Sequence, residues 1–198
     1  MFLSWHGCPL KLAHRFTQYV SSLSIRATFI LLSLSLVLIW SFIFSGLPIS
    51  NEIMLKVASG HELFDVMAFY DAAIAYVMLG EYGETGRSNY LLFQFFDFIF
   101  IPCYVLGLAS LLIRIFQVNE IQNKFTFWIC LMPLILGVSD LLENLSLVVV
   151  VLEYPRELPV LAGLAGYLTA LKHVFTFIVF GAVLVGCLNR AKIWLVRK

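Results

Sequence analysis

The sequence predicts an all-α integral membrane protein, a four-helix bundle carrying one amphipathic interfacial helix on its outer side. Three observations carry this reading. Of 198 residues, 61% are hydrophobic and only 13% charged, with a mean hydropathy of +0.94, where a soluble domain carries about 25% charged residues. The apolar residues fall into four runs, about 26–47, 90–114, 126–152 and 160–188, each longer than the ~20 residues that cross a bilayer. Lys and Arg are distributed unevenly between the two sets of connections.

Four spans put both termini on one side. That side holds Lys11, Arg15, Arg26, Arg114, Lys124, Arg190, Lys192, Arg197 and Lys198, and the opposite side only Lys56, Arg87 and Arg156. Nine against three places the termini in the cytoplasm, or its equivalent in an organelle, by the positive-inside rule. The membrane is a bacterial inner membrane or an organelle membrane. The first acid is Glu52, so the basic N-terminal segment reads as a juxtamembrane stretch, with a transit peptide as the alternative. Cys8, Cys103, Cys130 and Cys187 form no CxxC pair. They read as packing residues and one free tail thiol.

The chain is one domain without repeats or a low-complexity tract. Its long connection, 48–89, lies on the outer side. Ser59 and Glu62 have the spacing of a capping box, so a helix is expected over about 61–79, ended by Gly80 and Gly83 and lying across the bundle mouth. Of its acids, Glu62 and Asp65 share a face and Asp71 points elsewhere, so one acid is expected to face inward, and Asp71 is a candidate interfacial residue. GEYGETGRSNY then leads into the second span, with Thr85 or Ser88 as its cap. It matches no phosphate-loop pattern. Arg87 is the candidate to meet a lipid phosphate or an acid of the outer helix.

Polar residues recur at helical spacing inside three spans. Tyr90, Gln94, Asp97 and Tyr104 share one face of the second, Asp140, Glu143 and Asn144 one face of the third, and Gly166, Thr169, Lys172, His173 and Thr176 one face of the fourth. Such stripes must turn inward, away from lipid. At 1.5 Å per residue, Asp97 lies about 10 Å below the outer end of its span, Glu143 about 13 Å, Asp140 about 18 Å and Lys172 about 20 Å. The charges therefore share one slab of the bundle. A charge at a helix centre costs ~2.5–3.5 kcal/mol, so Lys172 is expected to pair with Asp140 or Glu143, with Asn144, Thr169 and Tyr104 completing the hydrogen bonds. Three acids face one lysine, and the surplus calls for a proton, a cation or water. Asp140, Glu143 and His173 are conceivable metal ligands, but the Glu-x-x-His pair of di-iron bundles is missing, so no metal and no cofactor is predicted. Gly163, Gly166 and Ala170 have the spacing of close helix packing.

The order GETGRSNY (GxxGRxxY), Asp97, Pro102, SDLLEN (DxxEN), YP and TALKH (TxxKH), over residues 60–177, resembles a widespread family of small four-span membrane proteins, mostly bacterial and uncharacterised. His173 stands where the resemblance implies an aromatic residue. The resemblance implies the topology and no activity. Three function classes stay open: a non-enzymatic membrane subunit or binder of a small lipophilic molecule, a membrane-embedded enzyme with Asp140 or Glu143 as general acid/base on a lipid or isoprenoid, and a protein that handles protons or cations. The expected partners are the lipid bilayer and either other membrane subunits or a second copy of the chain, and no nucleic acid.

Overall fold

A computed structural model describes residues 11–118 and 123–196. All its regular elements are helical: α1 (Lys11–Ser22), α2 (Ile25–Phe44), α3 (Asn51–Val57), α4 (Ala72–Val118), α5 (Lys124–Glu153) and α6 (Pro159–Val196), with a 3-10 turn at Phe64–Val66. Among them α2, α4, α5 and α6 are long and apolar enough to cross a membrane, on the four expected runs. Two of them run further than expected, α4 beginning at 72 and α6 continuing to 196. Cys8, Arg197, Lys198 and the first ten residues of the basic N-terminal segment lie outside the described residues.

The helix starts follow their caps. Ser24 accepts from the Ala27 N–H at 3.1 Å and opens α2; Asp71 does the same for Ile74 at 2.8 Å and opens α4. Asn123 and Thr126 form a reciprocal capping box at the head of α5. Pro159 opens α6, where its missing N–H costs nothing. Helix α2 buries one seam and leaves its other apolar faces exposed. Thr28, Ser35 and Phe42 are its buried residues, seven apart on one seam, while Phe29, Ile30, Leu36, Val37, Trp40 and Phe44 are exposed. Thr28 and Ser110 share a buried hydroxyl–hydroxyl hydrogen bond of 2.7 Å that ties α2 to α4.

Helices α4, α5 and α6 pack on one another as the body of the bundle, and α2 leans mainly on α4. Close approaches are made at glycine. A Cβ on Gly137 would stand 2.3 Å from Val105 of α4, and one on Gly186 2.3 Å from Ile115. Gly166 serves a different purpose from the expected helix contact: the Tyr70 carbonyl sits 1.8 Å from where its Cβ would be, and Gly163 faces open space. At the other end of the molecule, α1 is amphipathic. Ala13, Thr17 and Val20 are buried, with Lys11 and Arg15 exposed.

The connection 48–89 departs from expectation. Of the expected helix over 61–79, only 72–79 is helical, as the first turns of α4. The chain forms α3, turns at Ser59 (φ 51°) and Gly60 (φ 89°), and crosses the end of the bundle in irregular form to Asp71. The Ser59–Glu62 capping box therefore does not exist. Burial decides this: Leu63, Phe64 and Tyr70 are all at most 1% exposed, and Phe64 packs against the rings of Tyr70, Tyr82 and Tyr90 at 4.9–5.4 Å. That apolar contact outweighs a capping box worth about 1 kcal/mol. The segment is tied down by backbone bonds, Leu63 N–H to Asn51 Oδ1 at 2.9 Å and the Glu62 carbonyl to the Tyr82 hydroxyl.

Gly80 lies inside the helix, but Gly83 does break it, as expected. Helix α4 runs from Ala72 through both, interrupted at Gly83 (φ 60°, ψ −171°), a conformation open essentially to glycine alone. Thr85 and Ser88 lie inside α4.

Candidate functional site

Helix periodicity and the crossing segment together build one buried ion cluster. The Lys172 ammonium of α6 stands 2.8 Å from Asp65, 3.1 Å from Asp140 and 2.8 Å from Glu143. Asp65 and Asp140 accept hydrogen bonds from it, and Glu143 pairs by proximity alone. Both α5 acids meet the lysine, where one was expected. Their side chains are nearly or fully sealed from the surface, Glu143 completely.

The hydrogen bonds around this centre use the expected residues. The Tyr104 hydroxyl donates to Asp140 at 2.8 Å. Thr169 donates to Glu143 at 2.6 Å. The Asn144 amide donates to Asp97, which stands beside the cluster rather than on the lysine. Tyr90 donates to Asp65 at 3.1 Å and receives a bond from the Gln94 amide. His173 bonds the Met67 carbonyl through Nε2 at 2.8 Å, so it anchors the crossing segment and makes no ion pair among the described residues. Two buried acceptors, Gln94 Oε1 and Asn144 Oδ1, have no hydrogen-bond partner among the described residues.

Asp65 is the residue that sequence reasoning put elsewhere. On a surface helix it would sit in water with Glu62. In the irregular segment it reaches Lys172 from 107 positions away. Asp71, a candidate interfacial residue, is exposed and caps α4, so the acid of this segment that faces inward is Asp65. Arg87 forms no ion pair with an acid among the described residues. It donates to the Leu79 carbonyl at 2.8 Å, one turn before the Gly83 break, and lies over the Tyr154 ring at 4.4 Å. It thus stabilises the interrupted helix and holds α4 to the α5–α6 connection. Outside the spans, the Tyr70 phenol is pushed upward from its usual range, first by burial and then by the negative charge of Glu143, which keeps it neutral.

Asp65, Asp140 and Glu143 place oxygens within 4.8 Å of one another. The Lys172 ammonium occupies the middle of that set as its cation. His173 is directed to Met67 instead, so the trio Asp140, Glu143 and His173 is not assembled as a ligand set.

A cavity of about 370 Å³ adjoins the cluster. Its apolar wall includes Ile39 and Phe42 of α2, Phe93 and Phe100 of α4, and Phe180 of α6. Asp65, Asp97, Tyr104, Asp140 and Lys172 supply its polar part. Glu143 does not line it. Asp140 has both oxygens engaged, whereas Asp97 bonds through Oδ2 alone, leaving Oδ1 for an incoming group. Comparison with protein families, with characterised proteins and with solved structures finds no match to this chain.

Proposed function

We propose that this is a non-enzymatic membrane protein that binds a small lipophilic molecule with a cationic or hydrogen-bond-donating head. One observation carries the reading: an aromatic-walled cavity of about 370 Å³ ends on Asp97, Asp140 and Lys172. Its size falls in the range of ligand pockets, ~300–1,000 Å³, and it has their composition, mostly apolar walls with a few convergent polar groups. The sign of the head follows from charge. Asp65, Asp140 and Glu143 share a single lysine and Asp97 stands beside them, so the region attracts positive charge and donors. The apolar body would lie against α2, α4 and α6, reached from the bilayer. In this reading the basic end of the bundle faces the cytoplasm, and the 48–89 connection covers the opposite mouth.

The alternative, acid/base chemistry on a lipid, has a weaker base to work with than the sequence suggested. Glu143 is off the cavity and Asp140 is fully bonded, which leaves Asp97 as the only α4–α5 carboxylate with a spare oxygen on the described cavity wall.

The test is native mass spectrometry of the gently purified protein, with and without added N,N-dimethyldodecylamine, for wild type, Asp97→Leu and Leu108→Trp, which fills the cavity that Leu108 of α4 lines. Wild type should hold one amine and unfold at a higher temperature with it, and both variants should lose the effect while remaining folded. Binding that survives both substitutions would reject this cavity as the site. Conversion of an added lipid by wild type, abolished in Asp97→Asn, would replace the binder with the enzyme.

A further inference from the structure

A second cavity lies at the opposite end of the α2–α6 cleft and takes a different ligand. It measures about 320 Å³. The first two turns of α2 form one wall and the last turns of α6 the other, with α4 as the floor. Phe29, Leu32, Leu111 and Ile115 make it apolar, and Arg114 and Arg190 are the charged residues that line it, with no acid lining it among the described residues.

Both guanidinium groups are incompletely used. Arg114 donates from Nη2 to the Leu23 carbonyl, while its Nε is buried with no partner among the described residues. Arg190 is exposed and pairs with no acid among the described residues. A buried donor without an acceptor, beside a second cation and an apolar furrow, marks a place for an anion that carries hydrocarbon. The surroundings agree in sign. Arg26 opens α2 beside the furrow, and Lys192 follows Arg190 on α6, at the end where Lys124 opens α5. Basic pockets between membrane helices at their positively charged ends recognise anionic lipid headgroups.

We propose that this furrow binds one anionic phospholipid, its phosphate between Arg114 and Arg190 and an acyl chain along Phe29, Leu32, Leu111 and Ile115. A free phosphate would satisfy the arginines but leave the apolar walls unused, so the ligand is the lipid. The site is separate from the acid-rich cavity, whose charge would repel the same headgroup. Either can fail without the other.

The experiment is native mass spectrometry of the full chain released from nanodiscs of mixed phosphatidylglycerol and phosphatidylcholine. Wild type should retain one phosphatidylglycerol in clear preference to phosphatidylcholine. Arg190→Gln, at an exposed position that leaves the fold alone, should weaken retention about fivefold, as should Arg114→Gln, from ~1 kcal/mol of attraction per basic residue. Lys192→Gln, at the same end but outside the furrow, should retain the lipid as wild type does. Equal retention of the two lipids, or an equal loss in Lys192→Gln and Arg190→Gln, would overturn the proposal in favour of a diffuse basic surface. Displacement of the lipid by millimolar inorganic phosphate would overturn it in favour of a simple anion site.

Discussion

Lys172→Met should be the most damaging conservative-volume substitution in the ion cluster, and its magnitude can be worked from the geometry. It leaves Asp65, Asp140 and Glu143 with oxygens within 4.8 Å of one another and no cation between them. At an effective dielectric of about 20, each pair of negative charges at that distance repels by roughly 3.5 kcal/mol. That repulsion is present in the wild type too and is offset there by the lysine, so the loss is that of the cation: removing one partner of a buried ion pair costs about 3–5 kcal/mol in measured cases. For a chain of this size that corresponds to a melting temperature lower by roughly 6–20 °C. The sign of a second substitution is the sharper test. Glu143→Gln removes one of three anions from a satisfied lysine in the wild type and should destabilise by about 1–2 kcal/mol. In the Lys172→Met background the same change removes repulsion and should stabilise, giving a coupling energy of up to ~3 kcal/mol. Thermal unfolding of the four proteins in one detergent, followed by circular dichroism, reads the cycle. The reasoning fails if Lys172→Met melts within about 2 °C of wild type, or if Glu143→Gln shifts the melting point in the same direction in both backgrounds.

Other substitutions test the parts that position the cluster. Gly166→Ala would drive a methyl into the Tyr70 carbonyl, so amide hydrogen exchange should accelerate across 61–71 while the four spans keep their protection; Gly163→Ala, which meets open space, should change nothing in that segment. Gly83→Ala has room but the wrong backbone region (φ 60°, ψ −171°) and should cost about 1–3 kcal/mol, read by the same unfolding measurement. Thr28→Val removes the buried hydroxyl bond between α2 and α4 and strands Ser110, at about 1–3 kcal/mol; Ser41→Ala, an exposed hydroxyl bonding only its own helix, is the control and should stay near wild type.

The four membrane helices and most of the ion cluster were legible in the chain, because lipid enforces a simple rule. A charge inside a span must turn toward other helices, and the 3.6-residue period then states which residues share a face. Asp97, Tyr104, Asp140, Glu143, Asn144, Thr169 and Lys172 come together as that rule requires. The rule has no force outside the hydrocarbon, and there the reading went astray. In 61–71 a local capping signal at Ser59 and Glu62 favoured a helix, yet burial of Leu63, Phe64 and Tyr70 among residues far along the chain set an irregular path. That path alone carries Asp65 to Lys172, turns His173 onto Met67 and leaves Asp71 as a cap. The same limit applies to empty space. Which residues are apolar is written in the sequence, but a cavity is what remains when helices cross at particular angles, and only the packed structure decides that α2 stands apart from α6 far enough to leave one cavity with an acidic floor and another flanked by two arginines.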